Sequence, residues 1–220
     1  MASIDFRSGF PSPGLDVDSD FEDLGVVRTY GPGTELLQQG TPADEVYLIR
    51  EGLVKLVWTE PKGRQGIVGL RWRGYLLGVP SAITGEKSPM SAVTLVRSVV
   101  QRISAQDFLE CLHANPPLAW KMQQINSREL CEQLNSLGEL SCCSARSRLG
   151  RVFRRLVAAG QADGKRNRVR LPLKQREVAE LIGVTPEHLN RILHALSKDG
   201  LLHVRKGWIV IPNLQALSAL

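Results

Sequence analysis

Between Gln175 and Ile211 apolar residues recur at helical spacing in two consecutive sets, Val178, Leu181 and Ile182, then Leu189, Ile192, Leu193 and Leu196. Each set marks one face of an amphipathic helix, so the pattern predicts two helices packed on a common core. Gly183, between them, suits a turn that needs positive φ, and Val184 plugs the angle. Thr185-Pro186 offers an N-cap hydroxyl followed by proline at the first helical position. Gly200, after Lys198-Asp199, suits the residue just past the end of the second helix. With its apolar face inward, that helix presents Glu187, Asn190, Arg191, His194 and Lys198. Leu201 to Ile211 alternates weakly around Lys206-Gly207 and predicts a hairpin with a basic tip. A helix-turn-helix with a β wing is the implied unit, and its polar face carries side chains suited to base edges and phosphates.

Upstream the period changes. From Tyr30 to about Ser104 short β-prone runs (EVYLI, LVKLVW, IVGL, SAVTLV) alternate with frequent glycines, predicting a compact antiparallel roll or barrel. Ala105 to Asn115 reads as a short helix broken by Pro116-Pro117. A long helical pattern then runs from Leu118 to about Cys143 and carries Met122, Ile125, Leu130, Leu134, Leu137 and Leu140. A stripe of that length calls for a partner helix as cover. The first twenty residues, with two prolines and alternating aspartates, read as a mobile arm. The expected organisation is an α+β chain: an arm over 1–20, a roll over 21–115, a dimerisation helix over 116–145 and a winged helix-turn-helix over 146–220.

Charge sharpens the functional side. The 220 residues carry a formal +6, but Arg146 to Leu220 holds 15 Lys and Arg against 5 Asp and Glu, and the remainder 13 against 17. Only the C-terminal part has the electrostatics to hold a polyanion. Arg146, Arg148, Arg151, Arg154 and Arg155 form a basic run, and Lys165-Arg166-Asn167-Arg168 a basic loop. Cys111, Cys131, Cys142 and Cys143 show neither CxxC pairing nor zinc-like spacing, so no metal site and no disulfide framework is expected. No apolar run is long enough for a bilayer span and the start lacks a signal-peptide pattern, so a cytoplasmic location is expected. No nucleophile-base motif, P-loop or metal cluster points to catalysis.

A glycine-punctuated roll, a long helix and a winged helix-turn-helix together resemble the Crp/Fnr family of bacterial transcription regulators, over about residues 21 to 213. The matching marks in the roll are Gly33, Gln39-Gly40, Asp44, the run Val46 to Gly52, Gly74 and Gly78. Those in the C-terminal part are Arg148, Glu177-Val178-Ala179, Gly183 and Glu187 through Arg191. The resemblance implies a homodimer joined through the long helix, binding a two-fold-related double-stranded DNA site, touching RNA polymerase and switched at a cyclic-nucleotide-binding-like roll. Arg191 is then the candidate donor to guanine, Glu187 the acceptor from cytosine N4, and Asn190 and His188 readers of adjacent bases. Lys174, Gln175, Arg176, Thr185, Lys198, Arg205 and Lys206 are candidates for the DNA backbone. Position 174 departs from the family, which usually has a threonine cap there.

The roll departs further. Family members that bind cyclic AMP use a glutamate after the glycine of the phosphate-binding segment and an arginine-serine pair; here Val79 follows Gly78, and Met90-Ser91 stands in the arginine-serine place. Gln133 and Leu134 align where purine-contacting threonine and serine sit. Cyclic AMP is therefore disfavoured, and the remaining pocket is assigned to Leu76, Leu77, Gly78, Val79, Met90, Ser91 and Leu134, suited to an apolar small molecule or a haem. An iron-sulfur cluster is disfavoured because residues 1 to 110 contain no cysteine. For haem the one histidine outside the C-terminal part is His113. Cys142-Cys143 stands where the long helix meets the DNA-binding part, a candidate for redox sensing set against plain packing. One rival reading is an effector-independent DNA-binding protein whose roll is only a scaffold for dimerisation and polymerase contact; another, a regulatory subunit of an enzyme with a cyclic-nucleotide module, is disfavoured because the winged helix-turn-helix would then have no purpose.

Overall fold

A computed structural model describes residues 17, 19–163, 168–205 and 208–211. The first eight strands are β1 (Val26–Tyr30), β2 (Glu35–Leu37), β3 (Glu45–Glu51), β4 (Leu53–Thr59), β5 (Gln65–Trp72), β6 (Leu76–Leu77), β7 (Ser91–Thr94) and β8 (Ser98–Ser104). They form two antiparallel four-stranded sheets, ordered β1-β8-β3-β6 and β2-β7-β4-β5. Successive side chains of a strand point to opposite faces. In β3, Val46 and Leu48 therefore share one face and Tyr47 and Ile49 the other, and all four are buried. Gly78 leads from β6 into the short helix α1 (Val79–Thr84) at φ +86°, where a Cβ would lie 2.8 Å from the Glu45 carbonyl oxygen. A side chain there would collide with backbone.

The roll is closed by α2 (Ala105–Ala114) and the start of α3 (Pro116–Cys142). Asn115 Oδ1 accepts from the Leu118 amide at 3.2 Å and caps α3. Pro116 and Pro117 end α2 as expected and occupy the first turn of α3, where a missing N–H costs nothing. Leu118, Met122 and Ile125 of α3 enter the roll core beside Val46, Leu48, Ile103 and Phe108. The same core takes Val17 and Phe21, 1% and 0% exposed. Phe21 stacks on Phe108 with centroids 5.5 Å apart, and Gln101 Nε2 donates to the carbonyls of Phe21 and Leu24. Residues 1–16 of the expected arm lie outside the described residues, but Val17 and Asp20 are fastened, the latter by an ion pair to Lys121. Two apolar residues among aspartates form no period, so the sequence pattern misses this strap.

The chain divides into two compact units within α3, after Glu132. In the second unit α4 (Ala145–Ala158), capped by Ser144 Oγ accepting from the Ser147 amide at 3.1 Å, precedes β9 (Ala162–Asp163) and β10 (Arg168–Arg170). Helices α5 (Gln175–Leu181) and α6 (Pro186–Lys198) follow, then the hairpin β11 (His203–Arg205) and β12 (Trp208–Val210). The hairpin is half of a four-stranded sheet, β11-β12-β10-β9. Strands β9 and β10 escape sequence reading because two or three residues show no alternation; Arg168, expected in a basic loop, begins β10. Leu149, Phe153, Leu156, Val178, Ile182, Leu189, Leu196 and Ile209 make the core of this unit. Each such side chain contributes about 1.5–3 kcal/mol relative to exposure.

Candidate nucleic-acid interface

Helix α6 is positioned by its ends and its apolar face. Thr185 Oγ1 accepts from the His188 amide at 3.3 Å and Pro186 opens the first turn. At the far end the Gly200 amide donates to the Ser197 carbonyl at 3.1 Å and the Leu201 amide to the Leu196 carbonyl at 2.9 Å, with Gly200 at φ +69°. That pair of bonds is the left-handed glycine stop anticipated from sequence. Leu189, Leu193 and Leu196 are buried, and Ile192 half-buried. The opposite face exposes Glu187, His188, Asn190, Arg191, His194 and Lys198. At the start of α6 the Glu187 carboxyl is held below its ordinary range by its own backbone N–H first, then by the Thr185 hydroxyl, with Arg191 adding attraction against a small cost of burial.

The turn before α6 is equally determined. The Gly183 amide donates to the Glu180 carbonyl at 3.1 Å and the Val184 amide to the Ala179 carbonyl at 3.0 Å. Gly183 sits at φ +64°, and a Cβ on it would come within 3.1 Å of Leu140 Cδ2. Lys174 heads α5 without a side-chain cap; instead Glu177 Oε2 accepts from the Lys174 amide at 2.7 Å. An ammonium has only donors, so it cannot replace the threonine acceptor, and the carboxylate three residues on satisfies the helix end in its place. Lys174, Gln175, Arg176 and Thr185 are exposed, Arg176 partly engaged by Glu180 at 2.9 Å. The backbone of Arg205 lies in β11; Lys206 and the loop residues Lys165, Arg166 and Asn167 lie outside the described residues.

Most of the basic run of α4 is half-buried and engaged within the unit, while Arg146, its side chain 41% exposed, pairs with Asp199 at 3.4 Å. Arg148 Nε donates to the Ile182 carbonyl at 2.7 Å, and its Nη1 to the carbonyls of Cys143 at 2.5 Å and Leu140 at 3.4 Å. One guanidinium therefore caps the ends of both α3 and α5. Arg151 forms an ion pair with Glu139, and Arg155 Nη2 donates to Ser136 Oγ at 3.0 Å. Burial holds the guanidinium of Arg154 below its ordinary range and does the same for Arg151, helped there by the Arg154 and Arg155 cations. Such side chains fasten the unit. Sequence spacing alone could not show this, because the acceptors are carbonyls and the two partners Ser136 and Glu139 on another helix.

In the roll, Leu76, Leu77 and Val79 are buried, and Leu76 and Val79 belong to the core with Met122 and Ile125. Ser91 Oγ accepts from the Gln39 amide at 3.0 Å, and Met90 is half-buried. Leu134 is 59% exposed. Position 90 carries no cation and position 79 no acceptor, and the Ser91 hydroxyl accepts from the chain. His113 lies exposed on α2, unlike a buried axial ligand, and Cys142 is exposed with Cys143 half-buried. Among the described residues no three His, Cys, Asp or Glu gather as metal ligands, and no helix is long and apolar enough to cross a membrane.

A two-sheet roll followed by a helix-turn-helix with a β wing, whose second helix exposes a polar face, defines a DNA-binding regulator. Comparison places it further. The profile of the cyclic nucleotide-binding domain matches residues 27–115 and that of the Crp-like helix-turn-helix domain residues 147–220. The chain is 26% identical over 191 residues, 87% of its length and 86% of the relative's, to the cyclic AMP receptor protein of Thermus thermophilus. It is 28% identical over 192 residues, 86% and 75% of the two lengths, to the fumarate and nitrate reduction regulatory protein of Salmonella typhi. Its fold is similar to that of FixK2 from Bradyrhizobium japonicum, with TM-score 0.78 and 21% identity over 90% of this chain and 97% of that one. The chain belongs to the Crp/Fnr family of transcription regulators.

Proposed function

We propose that the protein works in the cytoplasm as a homodimer that reads an inverted DNA repeat and answers a signal other than cyclic AMP, with RNA polymerase as a further partner. The observation that carries the DNA reading is the exposed row Glu187, His188, Asn190 and Arg191 on the first turns of α6, set over buried Leu189 and Leu193. Recognition helices contact base edges with their N-terminal residues. Arg191 donates to guanine and Glu187 accepts from cytosine, while Asn190 and His188 meet neighbouring bases. Lys174, Gln175, Arg176, Thr185, Lys198, Arg205 and Lys206 hold phosphates.

Dimerisation is supported by α3. Trp120, Leu130, Leu134 and Leu137 are 65%, 60%, 59% and 62% exposed. Leu130, Leu134 and Leu137 follow the alternating four- and three-residue spacing of a coiled-coil seam, and Trp120 continues the series two heptads before Leu134. Met122 and Ile125, read from sequence as part of that seam, serve the roll core instead. Cyclic AMP, for which one relative is named, is not the signal in this reading, since Val79 and Met90 offer a ribose and a phosphate neither acceptor nor cation.

Selection from random DNA tests the reading. A two-fold protein should recover an inverted repeat with half-sites about 10 to 10.5 base pairs apart or a multiple of that. Recovery of one unrepeated motif would reject it.

A further inference from the structure

Helix α3 and strand β5 are joined by a charge pair that the apolar core does not require. Arg71, near the end of β5, is 9% exposed. Two residues earlier on the same strand face, Gly69 has no side chain, and a Cβ there would lie 3.0 Å from Arg71 Nη1. The glycine thus leaves a seat for the guanidinium. Arg71 Nη1 donates to the Leu70 carbonyl at 3.0 Å, Nε donates to Glu129 Oε1 at 2.8 Å, and Nη2 donates to the same oxygen. The Tyr75 ring covers the cation with its centroid 5.0 Å from the guanidinium carbon, and the Tyr75 hydroxyl lies 3.4 Å from Glu132 Oε2. One edge of a buried fork therefore converges on a single carboxylate supplied from α3.

A buried guanidinium is a demanding group. Removing its partner strands a charge in a poorly solvated place, whereas replacing both partners by apolar residues is often tolerated. The planar fork matches a carboxylate better than any neutral acceptor does. We infer that Arg71, seated by Gly69 and covered by Tyr75, is a carboxylate-binding site in the roll, and that Glu129 of the chain itself occupies it and so docks α3 on β5. The signal-sensing family domain would then be held to its long helix by a built-in ligand. The inference concerns the roll alone, so its test needs no DNA and does not depend on how the protein reads an operator.

The test is chemical rescue in the full-length protein. Glu129→Ala removes the atoms of an acetate ion, and the variant should unfold at a lower temperature than wild type. Sodium acetate at about 100 mM should raise that midpoint by several degrees over equal sodium chloride, because a ligand that binds only the folded state stabilises it. Acetamide should not, and neither wild type nor Arg71→Met/Glu129→Ala should respond to acetate. Should Glu129→Ala fail to accumulate folded, Arg71→Met/Glu129→Leu, with both charges removed, should fold. A Glu129→Ala midpoint equal to wild type, equal rescue by acetate and acetamide, equal acetate response in the double variant, or a Met/Leu double variant that does not fold would each overturn the inference.

Discussion

Glu187 and Arg191 stand one helical turn apart on the exposed side of α6, and the helix end conditions them differently. The backbone N–H and the Thr185 hydroxyl keep the Glu187 carboxyl charged, while Arg191 extends from the next turn with its fork available. If Arg191 reads guanine, Arg191→Ala should cost about 1–3 kcal/mol at the preferred site and relax discrimination at one base. Lys198→Ala, at the other end of the helix, should weaken all sequences alike and reduce the salt slope by about one unit. Quantitative binding to a preferred and a scrambled duplex across salt concentrations separates the two; equal losses on both duplexes for Arg191→Ala would remove it from base reading. In the roll, Glu45 bears on stability rather than recognition. Burial works against its charge, but hydrogen bonds from Arg102 and Tyr47, with attraction from Arg102 and Arg28, bring its carboxyl below the ordinary 4.5. A carboxyl lowered in the folded state stabilises above its unfolded value, and the gain is lost as pH falls through the folded one. Glu45→Gln should therefore melt below wild type at pH 7, with the gap closing below about pH 4.5; a gap independent of pH would show that the charge is irrelevant.

Helix α3 shows what an element's sequence reveals and what it withholds. Most of its apolar positions were read from the sequence, Trp120 excepted, but periodicity gives a face and not the identity of whatever covers it. Leu118, Met122 and Ile125 are covered by the roll of the same chain, whereas Trp120, Leu130, Leu134 and Leu137 are bare. That difference yields a prediction. Leu134→Glu leaves the protomer's packing untouched, so it should give a folded monomer by sedimentation, with far-ultraviolet circular dichroism like wild type. Met122→Glu puts a charge into the core and should unfold the roll. A Leu134→Glu protein that remains dimeric would move the interface elsewhere. The helix-turn-helix was more legible, because Gly183, Thr185-Pro186 and Gly200 each enforce a local backbone state that no distant contact needs to supply. The α4 arginines were legible as charge and not as function: Arg148, Arg151 and Arg155 are committed to carbonyls, Glu139 and Ser136, partners fixed only by the fold. Arg71 escaped notice for the same reason, since its carboxylate comes from 58 residues away.

At the scale of the whole molecule, charge and signal have to be considered together. The surplus of cations after residue 146 overstates the DNA-facing field, because the guanidiniums of Arg148, Arg151 and Arg155 already have internal acceptors. Among the described residues, the cations that remain exposed include Lys174, Arg176, Arg191 and Lys198 at α5 and α6, with Arg170 on β10. A family member with this output surface is switched only by a ligand that binds its two conformations differently. Cyclic AMP would bring a phosphate to a roll where Met90 offers no cation, and a ribose to Val79, which is 2% exposed and packed in the core. Ser91 is already hydrogen-bonded to the Gln39 amide. An unpaired phosphate in a half-buried place costs several kcal/mol of desolvation. Isothermal titration with cyclic AMP up to about 1 mM should therefore show no saturable heat, since a weaker contact at that limit corresponds to less than about 4 kcal/mol of binding free energy. Operator affinity measured with and without the nucleotide should be the same. Saturable heat in the micromolar range together with tighter operator binding would mean that the roll opens a pocket around Val79, and that the nucleotide shifts the dimer after all.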